Sequence, residues 1–107
     1  MSEDLKQIRN RIQRLQRIFN SSAEMIMTAD RSGRITDFNI CAQRTLGYRL
    51  KEARAREARS LFEDPKAFAH LMSQFKDRES VRGFRTRFLS ASGAAIAVEL
   101  TLSRLHN

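Results

Sequence analysis

Residues 30–48, DRSGRITDFNICAQRTLGY, leave this chain few ways to fold. Asp30-Arg31-Ser32-Gly33 is a turn signal, with apolar Met25 to Met27 before it. After it, polar Thr36 and Asp37 lie between apolar Ile35 and Phe38. The pattern predicts strand, tight turn, strand, with Gly33 supplying the positive φ that the corner needs. Asn39 follows at once and suits the first cap of a helix, because its side-chain oxygen accepts from a free backbone N–H. Ile40 to Leu46 fit a short helix, and Gly47 ends it. A hairpin running directly into a capped helix points to a mixed α+β chain.

The residues Asp30, Gly33, Ile35, Asn39, Ala42, Gly47 and Tyr48, with Glu52 four positions on, carry a resemblance to the PAS domain, a sensor and interaction module of signalling proteins. The resemblance implies an α+β fold: an antiparallel sheet with helices on one face and an amphipathic flanking helix at the N-terminus. It covers about Phe19 to Leu105. It divides the chain into residues 1–20, a dimerising or linking helix, and residues 21–107, the PAS-like domain. A further strand normally follows in the family. Either that strand lies outside this sequence, or the sheet has four strands and an open edge.

Residues 3–19 read as an amphipathic helix. Ser2 can cap it, and Glu3 and Asp4 complement the positive end of its dipole. Leu5, Ile8, Ile12, Leu15 and Phe19 are spaced three, four, three and four, with Ile18 beside the stripe, the spacing of a coiled-coil seam. In a parallel pair, Asp4 of one helix would face Arg9 of the other. A helix this short is marginal alone in water, so the stripe must be covered. Two covers compete: the outer face of the chain's own sheet, or the same helix of a second copy. Family members use the flanking helix in both ways, which implies a homodimer through these residues.

The later elements follow the same logic. Leu50 to Leu61 is strongly helix-forming, although Arg54 stands where the family often has an apolar residue. Pro65 opens a helix over residues 65–77 whose stripe is Phe68, Leu71, Met72 and Phe75. Val81 to Leu89 reads as a strand with Phe84, Thr86 and Phe88 on one side and Arg85 and Arg87 on the other. Ala91-Ser92-Gly93 is a turn. Beyond it Ile96, Val98, Leu100 and Leu102 alternate with Ala97, Glu99, Thr101 and Ser103, the cleanest two-residue period in the chain.

Composition narrows the function classes. A length of 107 residues fits one domain, and 41% hydrophobic content with seven Phe supports a modest core. No apolar run approaches membrane-spanning length, and a single Cys41 offers neither an internal disulfide nor a metal cluster. The expected compartment is therefore the cytoplasm. The net charge of +8 sits in three clusters: Lys6, Arg9, Arg11, Arg14 and Arg17; Arg49, Lys51, Arg54, Arg56 and Arg59; and Arg78, Arg82, Arg85 and Arg87. Acids are interleaved with them and no nucleic-acid motif is present. They read as solvated faces rather than as a nucleic-acid footprint.

Catalysis has no visible machinery. Asp30 and Asp37 flank a turn instead of facing one another, and Asp30 reads as a turn former. The resemblance raises two cofactors. His70 lies in the helix that supplies the haem ligand in haem-binding relatives, but it falls at the margin of the apolar stripe and reads as a surface histidine. Light-sensing flavin relatives use a Cys in a stretch that here is Glu57-Ala58-Arg59-Ser60-Leu61-Phe62, which has none; Cys41 lies elsewhere and reads as a small hydrophobe. No cofactor is expected. The inward candidates, which would line any pocket, are Ile26, Thr28, Phe38, Leu46, Phe62, Phe68, Leu71, Phe75, Phe84, Phe88, Val98 and Leu100. The expectation is a non-catalytic PAS-type sensory or signal-transducing module of a larger regulatory protein, attached to an output domain. A ligand-free docking or dimerisation module is the alternative. Nucleic-acid binding is the weaker third possibility.

Overall fold

The computed structural model describes residues 2–104. Helix α1 (Glu3–Ser21) starts where Ser2 Oγ accepts from the Leu5 N–H at 3.3 Å, with Glu3 and Asp4 in its first turn. None of its residues is buried, and Leu5, Ile8, Ile12, Leu15 and Ile18 are each more than half exposed. Of the two covers expected for the stripe, the chain's own sheet is not used. The helix touches the rest of the molecule chiefly at α2 (Ile40–Leu46).

Strand β1 (Met27–Ala29) pairs antiparallel with β2 (Ile35–Phe38), placing Met27 opposite Phe38 and Thr28 opposite Asp37. The turn between them is held by Asp30. Its Oδ1 accepts from the Ser32 N–H at 2.9 Å, the Ser32 hydroxyl at 2.6 Å and the Arg34 N–H at 3.1 Å. Led by the Ser32 hydroxyl, these donors hold the Asp30 carboxyl below its ordinary value. Gly33 takes φ 90° at the corner. Helix α2 begins on the Asn39 side chain, which accepts from the Ala42 N–H at 2.9 Å. It ends where Gly47, at φ 79°, donates to the Gln43 carbonyl at 2.8 Å.

The helix expected over Leu50–Leu61 is broken. Helix α3 stops at Arg54 (Leu50–Arg54), and a 3₁₀ turn covers Ala58–Leu61. The reason is competition from the first hairpin. Arg54 Nε donates to the Thr36 carbonyl at 2.9 Å, the Ile35 N–H donates to the Arg56 carbonyl at 3.0 Å, and the Ala58 N–H donates to the Gly33 carbonyl at 2.8 Å. The Arg56 carbonyl and the Ala58 N–H therefore serve Ile35 and Gly33 instead of a continuing helical turn.

Helix α4 (Pro65–Phe75) is capped by Asp64 through the Lys66 N–H at 2.9 Å, and it ends two residues before the expected boundary. Strands β3 (Ser80–Leu89) and β4 (Ala95–Ser103) form a long antiparallel hairpin with Phe84 opposite Leu100, Thr86 opposite Val98 and Phe88 opposite Ile96. Arg85 and Arg87 are exposed, while Phe88 is buried. The core gathers Ile35, Phe38, Ala42, Leu46, Leu61, Leu71 and Phe88. Burial of these side chains and their neighbours is the main stabilising term.

The α+β class is as expected, but the single continuous sheet is not. The described strands form two separate two-stranded sheets, β1–β2 and β3–β4. One edge of β1 and one of β4 border a shared cleft, and neither has a ladder partner among the described residues. What joins the hairpins is the stretch 56–63. It bridges Arg34 to Glu57 on one side and Phe62 to Phe88 on the other, where the Glu63 N–H donates to the Arg87 carbonyl at 2.9 Å. A second tie runs from the Ala91 N–H to the Leu46 carbonyl at 2.7 Å. Leu105, the expected limit of the resemblance, lies outside the described residues.

Candidate functional site

The cleft between the hairpins encloses about 740 Å³. One wall is Ala23 to Ala29, the stretch that leads from α1 into β1. The other is Ala97 to Leu102 of β4, and the floor is Ile35, Phe62, Phe68, Leu71, Met72 and Phe88. Each wall has a sequence cause. The two-residue period of β4 sends Val98, Leu100 and Leu102 toward the helices, and the three-to-four spacing in α4 sends Phe68, Leu71 and Met72 to meet them. Phe62 anchors the floor, its ring edge-on to Phe68 at 5.2 Å and to Phe88 at 5.0 Å.

Of the twelve inward candidates, the cleft brings together Ile26, Thr28, Phe62, Phe68, Leu71, Phe88, Val98 and Leu100. Phe38 and Leu46 lie elsewhere, fully buried in the core beneath α2. Phe75 and Phe84 are half-buried and do not line the cleft. Phe75 instead carries the Arg104 guanidinium on its ring at 4.3 Å, and Phe84 faces His70 at 6.0 Å. Thr28 brings a hydroxyl already engaged with Asp37 at 2.7 Å and Thr36 at 2.5 Å, so it adds little free polarity. Cys41 also borders the cleft, half-buried, with Sγ donating to the Ala23 carbonyl at 3.1 Å.

His70 stands outside the cleft, exposed on α4, with its Nε2 2.9 Å from Gln74 Nε2. No group of three or more His, Cys, Asp or Glu side chains suited to a metal occurs among the described residues. The cleft therefore offers an apolar floor and two strand edges. Those are the means to hold an apolar molecule or an extended backbone, and the carboxylates in the lining are Glu24 and Glu99.

The residue whose reach exceeded its sequence reading is Asn39. It is fully buried, and beyond capping α2 it ties three further segments together. Its Oδ1 also accepts from the Ile26 N–H at 3.0 Å, and its Nδ2 donates to the carbonyls of Phe19 at 3.0 Å and Glu24 at 2.9 Å. The end of α1, the linker, the first wall of the cleft and the start of α2 thus meet on one amide. A cap needs only the oxygen. An Asn where Ser or Asp would cap equally well is the one available hint that the amide nitrogen has work to do.

Comparison with known proteins bears on the same architecture. The PAS domain of an HTR-like protein from Haloarcula marismortui superposes with a TM-score of 0.82 at 24% identity, over 97% of this chain and 87% of that one. A PAS domain from a two-component sensor histidine kinase gives 0.81 at 18% identity, over 92% and 86%. A domain of a sensory box sensor histidine kinase/response regulator from Geobacter sulfurreducens gives 0.73 at 21%, over 98% and 90%. No curated protein matches the chain. The profile of the PAS fold matches residues 13–107, from within α1 to the last residue, and by that match the chain belongs to the PAS fold family.

Proposed function

We propose that this chain is the sensory module of a larger cytoplasmic regulatory protein: a non-catalytic PAS domain that takes an apolar ligand in its cleft and passes the change to α1. The observation that carries this reading is the shared use of one segment. Ala23 to Ala29 forms a wall of the cleft and is also the link to α1, with Asn39 bonded to both. An occupant that shifts this wall shifts the base of the helix with it. The exposed stripe Leu5, Ile8, Ile12, Leu15, Ile18 is the output surface, covered by the same helix of a second copy and continued into an output domain. That cover suits its heptad spacing and the Asp4–Arg9 charge match. Two states with different helix packing are required. Haem on His70 and photoactive flavin have no part in this reading. The sensor histidine kinase proteins whose domains superpose on this chain support a signalling role.

The test is native mass spectrometry of the purified protein, paired with distances between spin labels on α1. A small molecule retained in the cleft whose removal changes those distances supports sensing. A second reading is a docking module without a ligand, favoured by the edges of β1 and β4, which have no ladder partner among the described residues. An empty dimer, indifferent to added apolar compounds, would assign that role.

A further inference from the structure

Helix α2 is bonded at both ends to segments distant in sequence. At its start the Asn39 amide serves the Phe19 and Glu24 carbonyls and the Ile26 N–H. The Asn39 N–H donates to the Ile26 carbonyl at 2.9 Å, and Cys41 Sγ donates to the Ala23 carbonyl at 3.1 Å. Residues 19–26, the base of α1 and the linker behind it, thus hang on the first turn of α2. At the other end the Leu46 carbonyl accepts from the Ala91 N–H at 2.7 Å. Ala91 belongs to the turn between β3 and β4, which is closed on itself. There the Gly93 N–H donates to the Ser90 carbonyl at 2.9 Å, the Ser90 N–H donates to the Ala94 carbonyl at 2.8 Å, and the Ser90 hydroxyl accepts from the Ala94 N–H at 3.2 Å. Ser90 is buried, while residues 91–94 are exposed.

What lies between these bonds is stiff. Helix α2 has seven residues, a length of about 10 Å, and Ala42 and Leu46, one turn apart, are both fully buried. A short helix packed without free space shifts as a body rather than bending. The core also joins these segments by contact, but apolar contact has no direction. The hydrogen bonds at the ends of α2 do have one, and they fix where the turn and the linker stand relative to it. We propose that α2 is a strut coupling the β3–β4 turn to the base of α1: a displacement of residues 90–94 is carried along α2 to residues 19–26 and re-aims the helix. The exposed tip of the long hairpin is then a second input to α1, separate from the cleft. This rests on α1 being the output element.

Amide hydrogen exchange on the full chain tests the strut, with distances between spin labels on α1 as the second readout. Ala91→Pro removes the N–H that Leu46 accepts and sets a ring against that carbonyl, at a turn position that proline favours. A semisynthetic chain with lactic acid in place of Ala91 removes the same N–H and keeps the methyl group. Gly93→Ala is the control: it strains the same turn at φ 88°, where an added Cβ meets nothing within 4 Å. Exchange at residues 19–26 rises about tenfold in Ala91→Pro, rises in the ester chain as well, and stays near wild type in Gly93→Ala. Equal exchange there in Ala91→Pro and Gly93→Ala, or an ester chain that exchanges like wild type, would overturn the proposal. If exchange rises as described while the α1 distances stay unchanged, the strut stands and the output reading fails.

Discussion

The side-chain amide of Asn39 donates to the backbone carbonyl of Phe19 at 3.0 Å, across twenty positions of sequence, and so attaches the exposed α1 helix to the buried core of the domain. Its oxygen is fixed by two N–H groups, Ala42 and Ile26, so the amide cannot turn away from that carbonyl without breaking them. Asn39→Ala leaves the buried Ala42 N–H, the part-buried Ile26 N–H and two carbonyls without this partner. Urea unfolding should show a loss of about 3 kcal/mol or more. Asn39→Asp retains the accepted bonds but sets a carboxylate oxygen against the carbonyls of Phe19 and Glu24. Hydrogen exchange should then rise selectively at residues 19–26, with α2 still capped.

Ile12 lies in the middle of a stripe that none of the described residues covers. Ile12→Asp should leave the melting temperature of the PAS core nearly unchanged, because the side chain is 52% exposed. The sedimentation coefficient should fall from that of a dimer to that of a monomer. A variant that still sediments as a dimer would remove α1 from the interface.

Gly47 ends α2 at φ 79°, and a Cβ built there would meet the Ala91 Cβ at 3.5 Å, an ordinary contact. The cost of Gly47→Ala is therefore conformational, about 1–2 kcal/mol, and not a clash. Chemical denaturation should report that figure with an unchanged m-value. A loss of 4 kcal/mol or more would mean that the contact with the Ala91 turn is tighter than described.

The Asp30 carboxyl is held below its ordinary value chiefly by the Ser32 hydroxyl and then by the Arg34 N–H. A carboxyl lowered on folding stabilises the fold above its unfolded-chain value, and the contribution disappears as pH falls through the lowered folded value. Compared with Asp30→Asn, the wild type should therefore melt higher at neutral pH, and the gap should close as acid protonates the group. A gap that is constant with pH would assign the turn to geometry alone.

Leu71 is 2% exposed at the floor of the cleft. Leu71→Ala should cost about 2–5 kcal/mol in urea unfolding, and it should also enlarge the cleft. Larger apolar dyes would then bind that the wild type rejects. Loss of stability with unchanged dye selectivity would separate the core from the site.

The parts of this fold that sequence disclosed were those governed by local chemistry. Ser2 and Asn39 each cap the helix that follows them, Pro65 opens α4, Gly33 and Gly47 take the positive φ of their turns, and the alternation from Ile96 to Leu102 forms its strand. The failures came where distant segments compete for the same backbone groups. Nothing near Ala55 announces that the carbonyl of Arg56 will be claimed by Ile35, so a helix-forming run was read through a break. Phe75 and Phe84 share the periodicity of the cleft residues, yet they pack beside Arg104 and His70. Period tells which face a side chain occupies, but not how far along that face the cleft extends.

Because the two hairpins share no ladder among the described residues, force applied to one reaches the other through the stretch from Arg56 to Glu63 and the Leu46–Ala91 bond. One core, with Ile35 and Phe38 from the first hairpin and Phe88 from the second, also packs the two against each other. Phe62, inside that stretch, also anchors the floor of the cleft, so a substitution there bears on the lining and on the link between the hairpins together.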